Sequence, residues 1–65
     1  MDKQNYIDWA MAHGYGLRFT GIGMAYVTIG DVLMTEAMDI ADAESQLALI
    51  GMAIMTDKLR ADLIR

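Results

Sequence analysis

Cysteine and proline are both absent from this 65-residue chain. Without thiols, neither a disulfide framework nor thiolate metal ligation is open to it, and cysteine usage says nothing about redox compartment. Without proline, no rigid break is written into any helix or strand. Basic residues are also few: five Lys and Arg stand against nine Asp and Glu, for a formal net charge of −4. That balance lacks the basic face needed to hold a phosphate backbone, so nucleic acid is not an expected partner. A basic protein surface is the more natural complement. The opening Met1-Asp2-Lys3-Gln4-Asn5 is polar and has neither the basic region nor the apolar stretch of a secretory leader. A cytoplasmic setting is the resulting expectation.

What the chain has in excess is apolar residues, at 55%. A domain of this size buries only about 60% of the surface its unfolded chain exposes, and its core alone rarely supplies more than ~3–5 kcal/mol. Small chains close that gap with disulfides, a metal or assembly. With disulfides excluded, the surplus apolar surface points to a partner chain. The length allows a single domain, residues 1–65.

Three segments can be read. Lys3 to His13 carries Tyr6, Ile7, Ala10 and Met11 at helical spacing, with Trp9 at the edge of the stripe. Asn5 is a candidate N-cap with Asp8 three residues on, and Asp2 competes with it. Gly14 can end the helix in a left-handed conformation.

The second segment opens with four glycines between Gly14 and Gly23, which predict an irregular connection. Met24 to Ile29 suits a short strand by composition. A helix is preferred because Thr28, Asp31, Thr35, Asp39, Asp42 and Gln46 recur every three or four residues, as a polar helix face would. Ile22, Tyr26, Ile29, Leu33, Ala37 and Ile40 fall on the opposite side.

The third segment, Glu44 to Ile64, contains the unbroken apolar run Leu47 to Met55, which as a helix would be buried all round. Lys58, Arg60 and Arg65 then complement its C-terminal end. A turn around Asp42 to Ser45 would make a hairpin of the last two segments. No glycine or proline marks that turn, so one long helix is the alternative.

The fold expected from these patterns is all-α: a short N-terminal helix, a glycine-rich connection and an antiparallel two-helix hairpin, assembled as a homo-oligomeric bundle. Ile22, Tyr26, Ile29, Leu33, Ile40, Leu47, Ile50, Ile54 and Leu59 would form the oligomer core. The small residues Ala37, Ala41, Ala48, Gly51 and Ala53 would let helix backbones approach closely.

No residue set carries recognisable chemistry. His13 is the only histidine and has no ligand or catalytic partner at a defined spacing. The acidic residues Asp31, Glu36, Asp39, Asp42 and Glu44 lack both the Glu-x-x-His pairing of helical di-iron sites and the spacing of a calcium loop. They read as a solvated face or a contact for a basic partner. No hydroxyl sits in a nucleophile motif. Gly21-Ile22-Gly23 begins a GxGxxG pattern that Tyr26 breaks. No catalytic residue, metal or cofactor is therefore expected.

The seven methionines are either flexible core filling or an adaptable contact surface. Met24 and Met38 are the best contact candidates among them, and Trp9, Tyr15 and Phe19 would form a binding patch if exposed together. With Asp31, Glu36, Asp39 and Asp42 they make up the expected partner surface.

The functional expectation is a small non-enzymatic interaction module, an oligomeric adaptor or an acidic inhibitor that blocks a larger protein. A membrane-associated subunit is one alternative. However, the run Phe19 to Met34 is shorter than the ~20 residues a span needs, and Asp31 within it would cost about 2.5–3.5 kcal/mol near the bilayer centre. The other alternative is an oligomer with a site at the subunit interface, using His13, Asp8 or Arg18.

Overall fold

The computed structural model describes residues 2–64, and side chains from residue 2 to residue 63. In chain order the elements are α1 (Lys3–Ala12), β1 (Tyr15–Phe19), β2 (Met24–Ile29), β3 (Val32–Leu33), β4 (Met38–Asp39) and α2 (Ile40–Ile64). The architecture is thus α+β, with two helices laid on one face of an antiparallel sheet. The all-α expectation is overturned. The expected first arm of the hairpin is three short strands, and the turn expected at Asp42 to Ser45 lies inside the continuous helix α2.

The first helix lies where its apolar spacing placed it. Its N-cap is Asp2, not Asn5: the Asp2 carboxylate accepts the Asn5 N–H at 3.0 Å. At the other end, the His13 and Gly14 N–H groups donate to the carbonyls of Ala10 and Met11. Gly14 then takes a φ of 93°, which lets the chain reverse directly into β1.

In β2 the side chains alternate. Ala25 and Val27 are fully buried against the helices, while Met24, Tyr26 and Thr28 lie half-buried on the outer face. The register sets Leu17 opposite Val27, Phe19 opposite Ala25 and Tyr15 opposite Ile29, so these β1 side chains share the inner face. Gly30-Asp31 is a two-residue hairpin loop between β2 and β3, with Gly30 at φ 56° in its first position. The far edge of β2 is paired twice, by β3 at Thr28 and Ile29 and by β4 at Met24 and Ala25. The intervening residues fill the gap by another route. Met34 N–H donates to the Val27 carbonyl at 2.8 Å, and the Thr35 hydroxyl accepts the Val27 N–H at 3.1 Å. The buried Val27 therefore has both backbone groups satisfied without a continuous strand.

Of the polar residues that mimic a helix face, four lie before α2 and only Asp42 and Gln46 are on it: Thr28 is in β2 and Asp39 in β4. Asp31 is in the hairpin loop and Thr35 and Glu36 lie between β3 and β4. Strands of two to six residues separated by short loops bring a polar residue round every three or four positions, and that spacing imitates the helical period.

The core consists of Ile7 and Ala10 from α1, Ala25 and Val27 from β2, and Ala43, Leu47 and Ala48 from α2. Tyr6, Tyr15, Leu17, Met38, Ile40 and Ile50 pack around it. The expected oligomer core does not form one surface. Leu47 is buried inside the single chain, Ile40 and Ile50 border that core, and Ile54 is half-buried on α2. Tyr26 lies half-buried on the outer sheet face. Ile22, Ile29, Leu33 and Leu59 are exposed in four different elements or loops.

The two helices touch most closely at Gly51. A Cβ built there would lie 1.7 Å from the Tyr6 carbonyl oxygen, so only glycine admits the backbone of α1 at this crossing.

Beyond Lys58, whose ammonium lies over Trp9 of α1, the second helix runs past the body of the protein. At 25 residues α2 is about 37 Å long, and the molecule measures 46 × 24 × 15 Å. Its radius of gyration is 12.7 Å, against about 10.7 Å for a compact chain of this length. The run Leu47 to Met55 is accordingly not buried all round: Leu47, Ala48 and Gly51 face inward, and Leu49 and Met52 face solvent. Arg65, expected to complement the helix end, lies outside the described residues.

Candidate protein-binding groove

The sheet ends at β1, which among the described residues pairs only with β2 and leaves its other edge open. Beneath that strand, between its inner face and the two helices, lies an open groove of about 270 Å³. Ile7 and Met11 of α1, Leu17 and Phe19 of β1, and Leu47 of α2 line it, with Gln4 and Glu44 supplying the polar atoms. The local structure explains this lining. Ile7 and Met11 are one turn apart on α1, and Leu17 and Phe19 alternate onto the inner face of β1. Both Met11 and Phe19 are more than half exposed, so the groove offers apolar surface that the chain itself does not cover. An open strand edge beside an apolar groove can take an extended segment. The edge would hold its backbone, and the groove would hold alternate side chains.

Of the expected partner surface, Phe19 lines this groove and Tyr15 sits four residues away on the same face of β1, half-buried against the core. Trp9 is elsewhere. The His13 ring stacks on it with centroids 5.9 Å apart, and the Lys58 ammonium lies 5.0 Å from its ring centre. A cation over an indole face is attracted by the ring quadrupole, so Trp9 ties the end of α1 to α2. Met38 turns inward against the core and Met24 lies half-buried on the outer sheet face, so the two do not share a surface. Asp31 is in the hairpin loop, Glu36 in the next loop, Asp39 in β4 and Asp42 in the first turn of α2. These acids form no single face. Ile7, Met11 and Leu17 are groove residues outside the expected partner surface, while Glu44 belongs to the acidic set considered as a contact for a basic partner. The open edge of β1 would have been the signal for them, once β1 was read as a strand.

The interface-site alternative finds its residues apart. Asp8 and His13 border one shallow recess with Trp9 and Ala12, whereas Arg18 points from the outer face of the sheet beside Tyr26. His13 Nδ1 donates to the Trp9 carbonyl at 2.8 Å, and Asp8 accepts from the Gln4 amide at 2.9 Å. Among the described residues no group of three His, Cys, Asp or Glu could hold a metal ion. Among them, too, no helix is long and apolar enough to cross a membrane.

Fold and groove together define a small two-layer α+β protein with an apolar groove beside the open edge of β1. Compared with known protein families, characterised protein sequences and solved structures, the chain matches none.

Proposed function

We propose that this chain is a small non-enzymatic protein-binding module, an adaptor or acidic inhibitor that holds an extended apolar segment of a larger protein along β1. The observation that carries this reading is the coincidence of an unpaired strand edge with an apolar groove whose outer wall, Met11 and Phe19, is exposed. Edge pairing would supply affinity through backbone hydrogen bonds, and the groove would choose side chains. Met11 adds adaptability, because an unbranched thioether repacks around varied shapes. The net charge of −4 favours a segment with basic flanks. A cytoplasmic setting is part of the same proposal.

Selection of peptides from a random library on the immobilised protein tests it. The expected winners are extended, apolar at alternate positions and basic at the ends. They should shift the amide resonances of Tyr15 to Phe19 and lose binding at least tenfold on Phe19→Asp or Met11→Asp. Winners that bind these variants unchanged, or a selection that yields none, would overturn the groove as the binding site.

A further inference from the structure

The helix α2 carries a second uncovered apolar surface, on the side facing away from the sheet and α1. Ser45, Leu49, Met52, Thr56, Leu59 and Leu63 are spaced by four, three, four, three and four residues, and every one of them is exposed. The four large apolar members are 56%, 41%, 57% and 86% open to solvent in chain order. This is a heptad seam. On a straight helix a 3.5-residue repeat drifts by only about 20° per heptad, so these six share one side of α2, and this is the spacing with which one helix packs along another. A seam that served the chain's own core would be buried, and the core-facing residues Ala43, Leu47 and Gly51 already fill that role on the opposite side of α2.

We propose that the seam is the contact between two copies of this chain, with α2 packed antiparallel against α2 of the second copy. Three observations favour a second copy. First, a helix with a matching heptad register is what the seam requires, and this chain supplies one that is self-complementary about a two-fold axis. Second, the surface is in excess. The chain exposes 4570 Å², where a compact chain of its mass exposes about 4,100 Å². The four apolar seam residues leave roughly 500 Å² open in each copy, so a two-fold pair offers up to about 1,000 Å² from them, the scale at which specific interfaces begin. Third, the seam lies opposite the body, so both bodies sit on the outer sides of the helix pair and do not meet.

The antiparallel sense follows from the register and the charges. Setting Leu49 opposite Leu59 of the second copy also sets Met52 opposite Thr56 and Ser45 opposite Leu63, which places every seam residue in a layer. Arg60 then lies level with Ala48 of the second copy, beside its Gln46 and about 9 Å along the axis from its Asp42, whereas a parallel pair would align Asp42 and Glu44 with themselves. Opposed helix dipoles favour the same sense. The contact uses none of the residues that line the groove beneath β1.

Light scattering on the full chain across a dilution series is the first test. The expected result is a mass of two chains at high micromolar concentration that falls to one chain on Leu59→Asp or Leu49→Asp. The helical circular dichroism of each variant, measured alongside, checks that the fold is kept. These positions are exposed, so the single chain should tolerate the charge. A wild-type monomer throughout, or a dimer that persists in both variants, would overturn the proposal. Because the chain has no cysteine, a nitroxide on Asp62→Cys reads the sense of the pair directly. The two labels should lie about 24 Å apart along the helix axis if antiparallel. Labels side by side would overturn the antiparallel arrangement.

Discussion

At Gly51 one absent methyl group determines how the two helices sit. The Tyr6 carbonyl occupies the space a Cβ would need, and the obstacle is backbone, which cannot swing aside as a side-chain tip can. Gly51→Ala is therefore expected to cost about 3 kcal/mol, the upper end for overpacking, and that is most of what a core this size supplies. Urea unfolding followed by circular dichroism checks it, with Gly16→Ala as a mild comparison, since a Cβ there would meet only the Thr28 hydroxyl at an ordinary 3.5 Å. Thr35 acts through a single oxygen. Thr35→Val leaves the buried Val27 N–H without an acceptor, at an expected loss of about 1–3 kcal/mol, while Thr35→Ser keeps the oxygen and should lose less. Equal losses in the two variants would show that the hydroxyl is not the reason Thr stands there.

The broken edge and the projecting helix belong to the scale of elements. Between β3 and β4 the chain leaves β2 and returns, and the hairpin before that break depends on Gly30 at φ 56°. Gly30→Ala should destabilise the fold by about 1–2 kcal/mol, because a Cβ is disfavoured in the left-handed region. Gly30→Asn should cost less, since its side chain tolerates that region. Thermal unfolding of the pair of variants decides. In α2 the N-terminal half is held by the core and by the Gly51 crossing, whereas residues beyond Lys58 have little of the body to rest on. Amide exchange should therefore be slow from Ala43 to Ile54 in any state. From Leu59 onward it should be slow in the paired wild type and fast in Leu59→Asp.

For the whole molecule, two uncovered apolar surfaces share no residue: the groove beneath β1, and the seam on α2. The stability of a self-pairing chain depends on its concentration, so the unfolding temperature should rise with protein concentration in the wild type and stay constant in Leu49→Asp. Phe19→Asp should leave that dependence intact, because it alters the groove and not the seam. If Phe19→Asp abolishes the dependence, copies meet through the open edge of β1 instead.

Much of α1 was legible in the residues themselves, because a ten-residue helix ending in glycine writes its period and its stop locally. The long apolar run at Leu47 also announced a helix, and the small residues around it announced a close crossing. Their meaning depended on where α1 came to rest. The sheet was hidden. Its strands are so short that the polar residues of strands and turns together recur at helical spacing, although Tyr-Val-Thr-Ile followed by Gly30-Asp31 carried the hairpin signal. The groove was hidden for a different reason: Met11, Phe19 and Leu47 are far apart in the chain and meet only because β1 ends the sheet beside both helices. Composition alone determined that this chain has more apolar surface than a body of its size can bury, since that follows from surface and volume. Which apolar residues remain uncovered, Phe19 and the Leu49 to Leu63 seam rather than Leu47 and Val27, was decided only by the tertiary structure. Both faces of α2 carry leucine, and packing against the sheet and α1 is what buries Leu47 and leaves Leu49, Leu59 and Leu63 open.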